Sequence, residues 1–202
     1  MLVYLMKKAI IIITILFCNL TTFSQNADIN ILQNLNLNRN KTFDPTFKLV
    51  TNTTLPICIA TPVIIYSIGF LDKDATLKEK GLVIGGSFAG TGIITLAMKY
   101  GFNRERPYET FPFIEPLVTS ITPSFPSVHT SSAFSTATSL SLVFPKWYVI
   151  APSFLWAGSV GYSRMRLGVH YPSDVLVGAI IGAGTAYLTY KLNLWIRKDK
   201  SK

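Results

Sequence analysis

The sequence predicts an all-α fold: a membrane-embedded helical bundle with about five spanning helices after an N-terminal signal segment, or six if that segment is retained. Three observations predict it. Apolar residues make up 49% of the 202 residues and charged residues only 14%, whereas soluble domains carry about 25% charged residues. The apolar residues collect in five segments, roughly 55–71, 81–100, 130–144, 147–163 and 175–194, most of them near the length of one bilayer crossing. The basic residues sit mainly between those segments and at the tail, where they orient helices during insertion.

Each part of the chain follows in order. Residues 1–24 read as a signal peptide or a first membrane helix. Lys7 and Lys8 form a basic start, Ala9 to Phe17 is a short apolar stretch, and Thr22 and Ser24 suit cleavage after Ser24. Residues 25–54 are rich in Asn and Thr and are expected to be an exposed, polar, external lead-in. The five apolar segments are too long for strands, and helices satisfy their own backbone hydrogen bonds in lipid. Small residues recur in them, as in Gly178-Ala179-Ile180-Ile181-Gly182-Ala183-Gly184, and let helices approach closely. The third segment carries Ser131, Ser132, Ser135, Thr136, Thr138, Ser139 and Ser141, so it should face other helices rather than lipid. Residues 195–202 form a basic cytoplasmic tail. Cys18 and Cys58 lie in apolar runs without metal-ligand spacing and read as small buried hydrophobes.

With 25–54 outside, the loops holding Lys73, Lys78, Lys80 and Lys146 and the basic tail fall inside, as insertion prefers. Two other loops, around 101–129 and 164–173, fall outside and yet carry Arg104, Arg106, Arg164 and Arg166. The net charge of +9 lacks the dense basic face with interleaved aromatics that nucleic-acid binding needs, so no nucleic-acid partner is expected.

Those outer loops hold three clusters: Lys99 to Pro107, Pro126 to His129, and Ser163 to Asp174. The chain has two histidines, His129 and His170, and both stand at helix mouths beside hydroxyls and arginines. Asp174 follows His170 by four residues. With a helix starting near Pro172, its carboxylate reaches back to the imidazole, fixes the tautomer and stabilises an imidazolium. That equips His170 as a nucleophile. Lys99, Arg106 and Arg164 converge at one depth, which suits an anion, and arginine forks match phosphate oxygens. The start of a helix at Ser127 and Val128 adds free N–H groups and a positive dipole end. Arg104 and Arg166 read instead as interfacial anchors to lipid headgroups.

These residues resemble the signature motifs of the phosphatidic acid phosphatase type 2 superfamily, which also includes bacterial acid phosphatases and vanadium haloperoxidases. K-x6-R-P is met by Lys99, Arg106 and Pro107; P-S-G-H by Pro126, Ser127 and His129; S-R-x5-H-x3-D by Ser163, Arg164, His170 and Asp174. The resemblance covers about 55–194. Val128 stands where the second motif has glycine, and valine cannot adopt a positive φ cheaply. The resemblance implies that Lys99, Arg106, Ser127, the Val128 N–H and Arg164 hold phosphate. It implies that His170 attacks phosphorus with Asp174 orienting it, and that His129 protonates the leaving oxygen and then activates water. It implies no cofactor and no metal.

The expected function is a lipid phosphate phosphatase at the outer face of a bacterial-type inner membrane, multi-pass, with its active site toward the periplasm or exterior. Isoprenoid pyrophosphate, phosphatidylglycerol phosphate, phosphatidic acid and lipid A phosphate all fit as substrates. The Pro-rich loop 107–126, with Tyr108, Phe111, Phe113 and Phe125, is expected to shape the headgroup entrance. The alternatives are a soluble-type acid phosphatase, whose helices would show a polar stripe, a vanadium haloperoxidase, whose chains are usually longer, and a non-enzymatic membrane transport or assembly protein, which would not explain the paired histidines.

Overall fold

A computed structural model describes residues 27–200, with side chains to 198. The signal segment 1–24 and Cys18 lie outside the described residues. The described chain is helical: α1 over 27–37, a 3₁₀ turn at Lys41–Phe43, then α2 Asp44–Asn52, α3 Thr54–Leu71, α4 Ala75–Phe102, α5 Pro107–Thr110, α6 Val128–Val143, α7 Trp147–Arg166 and α8 Pro172–Lys200.

Local chemistry sets several boundaries. Asp74 caps α4, its side chain accepting from the N–H groups of Thr76 and Leu77. Asn103 ends α4 in the left-handed region at φ +46°, with its N–H on the Lys99 carbonyl. Ser127 caps α6 and accepts from Thr130 N–H. Pro172 opens α8, as its fixed φ favours.

The five apolar segments are α3, α4, α6, α7 and α8. Helical runs Lys41–Leu71, Ala75–Thr110 and Pro172–Lys198 are long and apolar enough to cross a membrane. Their outward faces carry Val63, Ile64, Phe70, Leu82, Ile93, Ile180, Leu188 and Trp195, an apolar exterior that only lipid covers at low cost. Helix α6 is shorter, at 16 residues, and occupies the middle, against α3, α4, α7 and α8. Its hydroxyl face turns inward as expected: Ser131, Ser132, Ser135, Thr136 and Ser139 are buried. Ser135 accepts from Thr91 Oγ1 at 2.9 Å and Ser131 from Thr95 Oγ1 at 3.0 Å, both from α4.

Helix α8 meets α6 almost backbone to backbone. A Cβ on Gly182 would lie 2.1 Å from the Ser131 carbonyl oxygen, and one on Gly178 would lie 2.9 Å from that of Ser127. This close approach holds the start of α8 against the start of α6, so Asp174 and Ser127 are neighbours.

The polar lead-in departs from expectation, because it is folded onto the bundle rather than exposed. Leu32 of α1 is fully buried with Ile114 and Tyr171. Asn36 donates to the carbonyls of Glu115 and Arg166 and accepts from Glu115 N–H. Gly168, at φ +73°, lies close under that amide, where a Cβ would meet Asn36 Nδ2 at 3.1 Å. Asp44 at the start of α2 pairs with Arg39 at 3.2 Å and Arg166 at 3.0 Å. Asparagine and charged residues look solvent-facing in a composition reading; here each buried one has a partner.

Candidate active site

The predicted site residues come together at one end of the bundle. Lys99 lies in the last turn of α4, Arg106 caps α5, Ser127, Val128 and His129 open α6, Arg164 lies in the last turn of α7, and Asp174 lies in the first turn of α8. His170 stands in the short link between α7 and α8. Lys99, Arg106, Ser127, Arg164, His170 and Asp174 are all buried, and His129 is partly open.

Asp174 is the hub. Its Oδ2 accepts from Tyr171 N–H at 2.9 Å, from the Ser124 hydroxyl, and from His170 Nδ1 at 3.4 Å. Its Oδ1 accepts from Arg104 at 2.7 Å. A carboxylate facing Nδ1 places the ring proton there and leaves the Nε2 lone pair free. Burial, opposed by Asp174, pushes the His170 imidazole down to about 3. The ring is therefore neutral at physiological pH, and its free nitrogen is available without prior loss of a proton.

Lys99 and Arg106 are held by carbonyls and Arg164 by a hydroxyl. Lys99 donates to the Pro123 carbonyl. Arg106 donates from Nε to the Thr122 carbonyl at 2.8 Å and from Nη1 to the Val169 carbonyl at 2.8 Å. Arg164 donates from Nη1 to Thr51 Oγ1 at 2.8 Å, while its buried Nε has no protein partner. His129 lies within electrostatic reach of Arg164, His170, Arg106 and Lys99. Ser127 N–H donates to the Asp174 carbonyl at 3.1 Å, which ties the second motif to the third. The Ser127 oxygen accepts from Thr130, so its own O–H is left as a donor. Three cations, a helix start and two imidazoles lie within electrostatic reach of one another, a set suited to a multiply charged tetrahedral anion.

Val128 is the first residue of α6, and the non-glycine residues with positive φ among those described are Lys73 and Asn103. The helical backbone that the site uses here is open to valine, and the left-handed conformation that would demand glycine is not adopted.

Two readings of single residues are corrected. Arg104 and Arg166 are not headgroup anchors. Arg104 pairs with Asp174 and with Asp28 at 3.1 Å and stacks on the Tyr171 ring at 3.8 Å. Arg166 is buried, paired to Asp44, and lies over the Phe47 ring. Sequence reasoning also missed Asp28, Thr51 and Ser124. Arg104 could have been found from its place two residues before the motif arginine. Asp28 and Thr51 carry no local signal, since their partners are 76 and 113 positions away.

A cleft of about 260 Å³ beside the hub is lined by Arg104, Glu105, Thr110, Phe111 and Tyr171. Phe111 belongs to the Pro-rich loop and meets Tyr171 edge-on at 6.5 Å. Tyr108 instead donates to the Ser120 carbonyl and braces the loop.

The chain is similar to several known proteins. A 66-residue stretch is 41% identical to a lipid A 4'-phosphatase of Bacteroides thetaiotaomicron, covering 33% of this chain and 29% of that protein. A 119-residue stretch is 31% identical to an undecaprenyl-diphosphatase of Sulfolobus acidocaldarius, covering 57% and 56%. The chain thus spans less than two thirds of the length of these curated relatives. The crystal structure of Aquifex aeolicus LpxE superposes with a TM-score of 0.72 at 28% identity, over 82% of this chain and 95% of that one. The family model of the PAP2 superfamily matches residues 80–198, the stretch that contains all three clusters, and the chain is a member of that superfamily.

Proposed function

We propose that this protein is a metal-independent lipid phosphate phosphatase working through a phosphohistidine. The observation that carries the reading is the convergence of His170, backed by Asp174, with Lys99, Arg106 and Arg164 at one mouth of a membrane bundle. His170 Nε2 attacks phosphorus in line, and the bond from phosphorus to the lipid oxygen breaks. His129 gives its proton to that leaving oxygen. Water then attacks the phosphohistidine, His129 takes a proton from it, and phosphate leaves with His170 restored. Lys99, Arg106, Arg164, the Ser127 hydroxyl and the Val128 N–H neutralise charge on the equatorial oxygens. That is most of what phosphoryl transfer demands, and it supplies the positive charge that a metal ion would bring.

The site end faces the exterior of a bacterial-type inner membrane in this reading. The opposite end carries Lys78, Lys80, Lys146 and Arg197, which insertion keeps inside. The substrate is a lipid with a terminal phosphate or diphosphate, and the names of the relatives support that class. The test is phosphate release from isoprenoid pyrophosphate, phosphatidylglycerol phosphate, phosphatidic acid and lipid A phosphate by purified protein in excess chelator. Release from at least one lipid is expected. No release from any of them, or release that returns only with added Mg²⁺, would overturn the reading.

A further inference from the structure

Helix α1 lies outside the stretch matched by the family, yet its Asp28 reaches the catalytic centre. Asp28 is buried. Its Oδ1 accepts from Ser173 N–H at 2.8 Å, and its Oδ2 accepts from the Ser173 hydroxyl and from Arg104 Nη2 at 3.1 Å. Arg104 Nη1 spans to Ser173 Oγ at 2.8 Å and Asp174 Oδ1 at 2.7 Å. One guanidinium therefore joins two carboxylates, and the Tyr171 ring under it keeps the fork in plane.

We infer that Asp28 and Arg104 are positioning residues for His170, acting through Asp174; the inference rests on the phosphohistidine reading above. The chemistry follows from charge. As His170 Nε2 bonds to phosphorus, the ring becomes cationic, and Asp174 must stabilise that charge through Nδ1–H. Asp174 needs a fixed orientation and an undiminished negative charge. Arg104 supplies the orientation, but an arginine paired to Asp174 alone would neutralise it. Asp28 takes a share of the arginine, so the three groups sum to one negative charge. Asp28 thus restores the field that Arg104 would otherwise cancel.

A headgroup role for Arg104 is the rival, since it lines the cleft. Its fork faces two carboxylates, Asp174 and Asp28, whose negative charge opposes an anion there, whereas Arg106 is held by neutral carbonyl and hydroxyl oxygens alone.

The experiment uses the full chain in detergent and the lipid phosphate turned over fastest in the panel above. Asp28→Asn keeps the shape and the acceptor for Ser173 N–H but loses the charge. It should melt within a few degrees of wild type, hold KM within about twofold, and lower kcat and the rate of phosphoenzyme formation roughly tenfold. Arg104→Gln should lose at least as much, and the double variant no more than Arg104→Gln alone, because both act on one carboxylate. Arg104→Lys retains charge without the fork and should lose kcat as well. Gln33→Ala, on the exposed face of α1, should match wild type. The inference falls if Asp28→Asn keeps kcat within twofold, if the losses multiply in the double variant, if Arg104→Lys is fully active, or if the loss appears in KM. An inactive wild type would instead sink the functional reading, and that is seen before any variant is made.

Discussion

At the residue scale the two histidines differ in surroundings, and the difference predicts different behaviour. His170 is buried against Asp174, while His129 is partly open and faced by three cations. His170→Ala should abolish any acid-labile phosphoenzyme. His129→Ala should still form one, turn over least badly with a good leaving group such as nitrophenol, and accumulate the intermediate because the base for its hydrolysis is gone. Rapid-quench trapping reads both outcomes; identical loss in the two variants would reverse the assignment. His170 also links stability to pH. Its folded value lies near 3, below the ordinary value near 6.5, so the unfolded chain takes up a proton that the folded chain refuses. Its contribution is intact above about pH 6.5 and is lost as pH falls toward 3, with a slope of up to about 1.4 kcal/mol per pH unit. Unfolding in detergent from pH 7 to 4 should show a shallower slope in His170→Asn than in wild type.

At the element scale two contacts decide where the motifs meet. The first is α6 on α8. Gly182→Ala puts a methyl into the Ser131 carbonyl, which backbone cannot relieve without parting the helices. Thermal unfolding should show a loss of at least about 1–3 kcal/mol, the usual cost of overpacking, and a fall in activity because Ser127 and Asp174 separate. The second contact is α2 on α7. Asp44 sits between Arg39 and Arg166, whose side chains are 1% and 5% exposed. Asp44→Ala leaves buried Arg166 without its carboxylate and Arg39 with Glu115 alone, and should cost about 3–5 kcal/mol by denaturant titration. Nearby, Thr51→Val removes the oxygen that Arg164 Nη1 donates to. It should weaken phosphate-competitive inhibition by vanadate about tenfold and lower stability by about 1–3 kcal/mol, because a buried donor loses its acceptor.

At the scale of the whole molecule, the site lies at one end of the bundle and the basic loops at the other. At that second end Glu79 pairs with Arg197 at 3.3 Å and accepts from Asn193. An impermeant thiol reagent on intact cells should label Ile121→Cys, which is fully exposed at the site end, and spare Lys78→Cys. Both probes need Cys18 and Cys58 replaced by alanine; Cys58 is buried in α3. Labelling at Lys78→Cys with Ile121→Cys protected would invert the proposed orientation. α1 and α2 seat on the same end as the site, so the lead-in and the active site share one side of the membrane whichever side that is.

Helix content, the five apolar segments and the three motif clusters were legible in the sequence, because each is a local pattern. A bilayer demands long uninterrupted apolar helices, and phosphate chemistry demands particular side chains at short fixed spacings. The pairing of His170 with Asp174 was legible for the same reason, since four residues bring them together across the start of α8. What tertiary structure alone decided is which distant groups stand behind those residues. Asp28, Thr51 and Asp44 looked like members of a solvated polar stretch. They are buried because α1 and α2 fold over the mouth of the bundle, where Arg104, Arg164 and Arg166 each need an oxygen. A buried cation must find an oxygen in space, and no spacing in the chain records which one it finds.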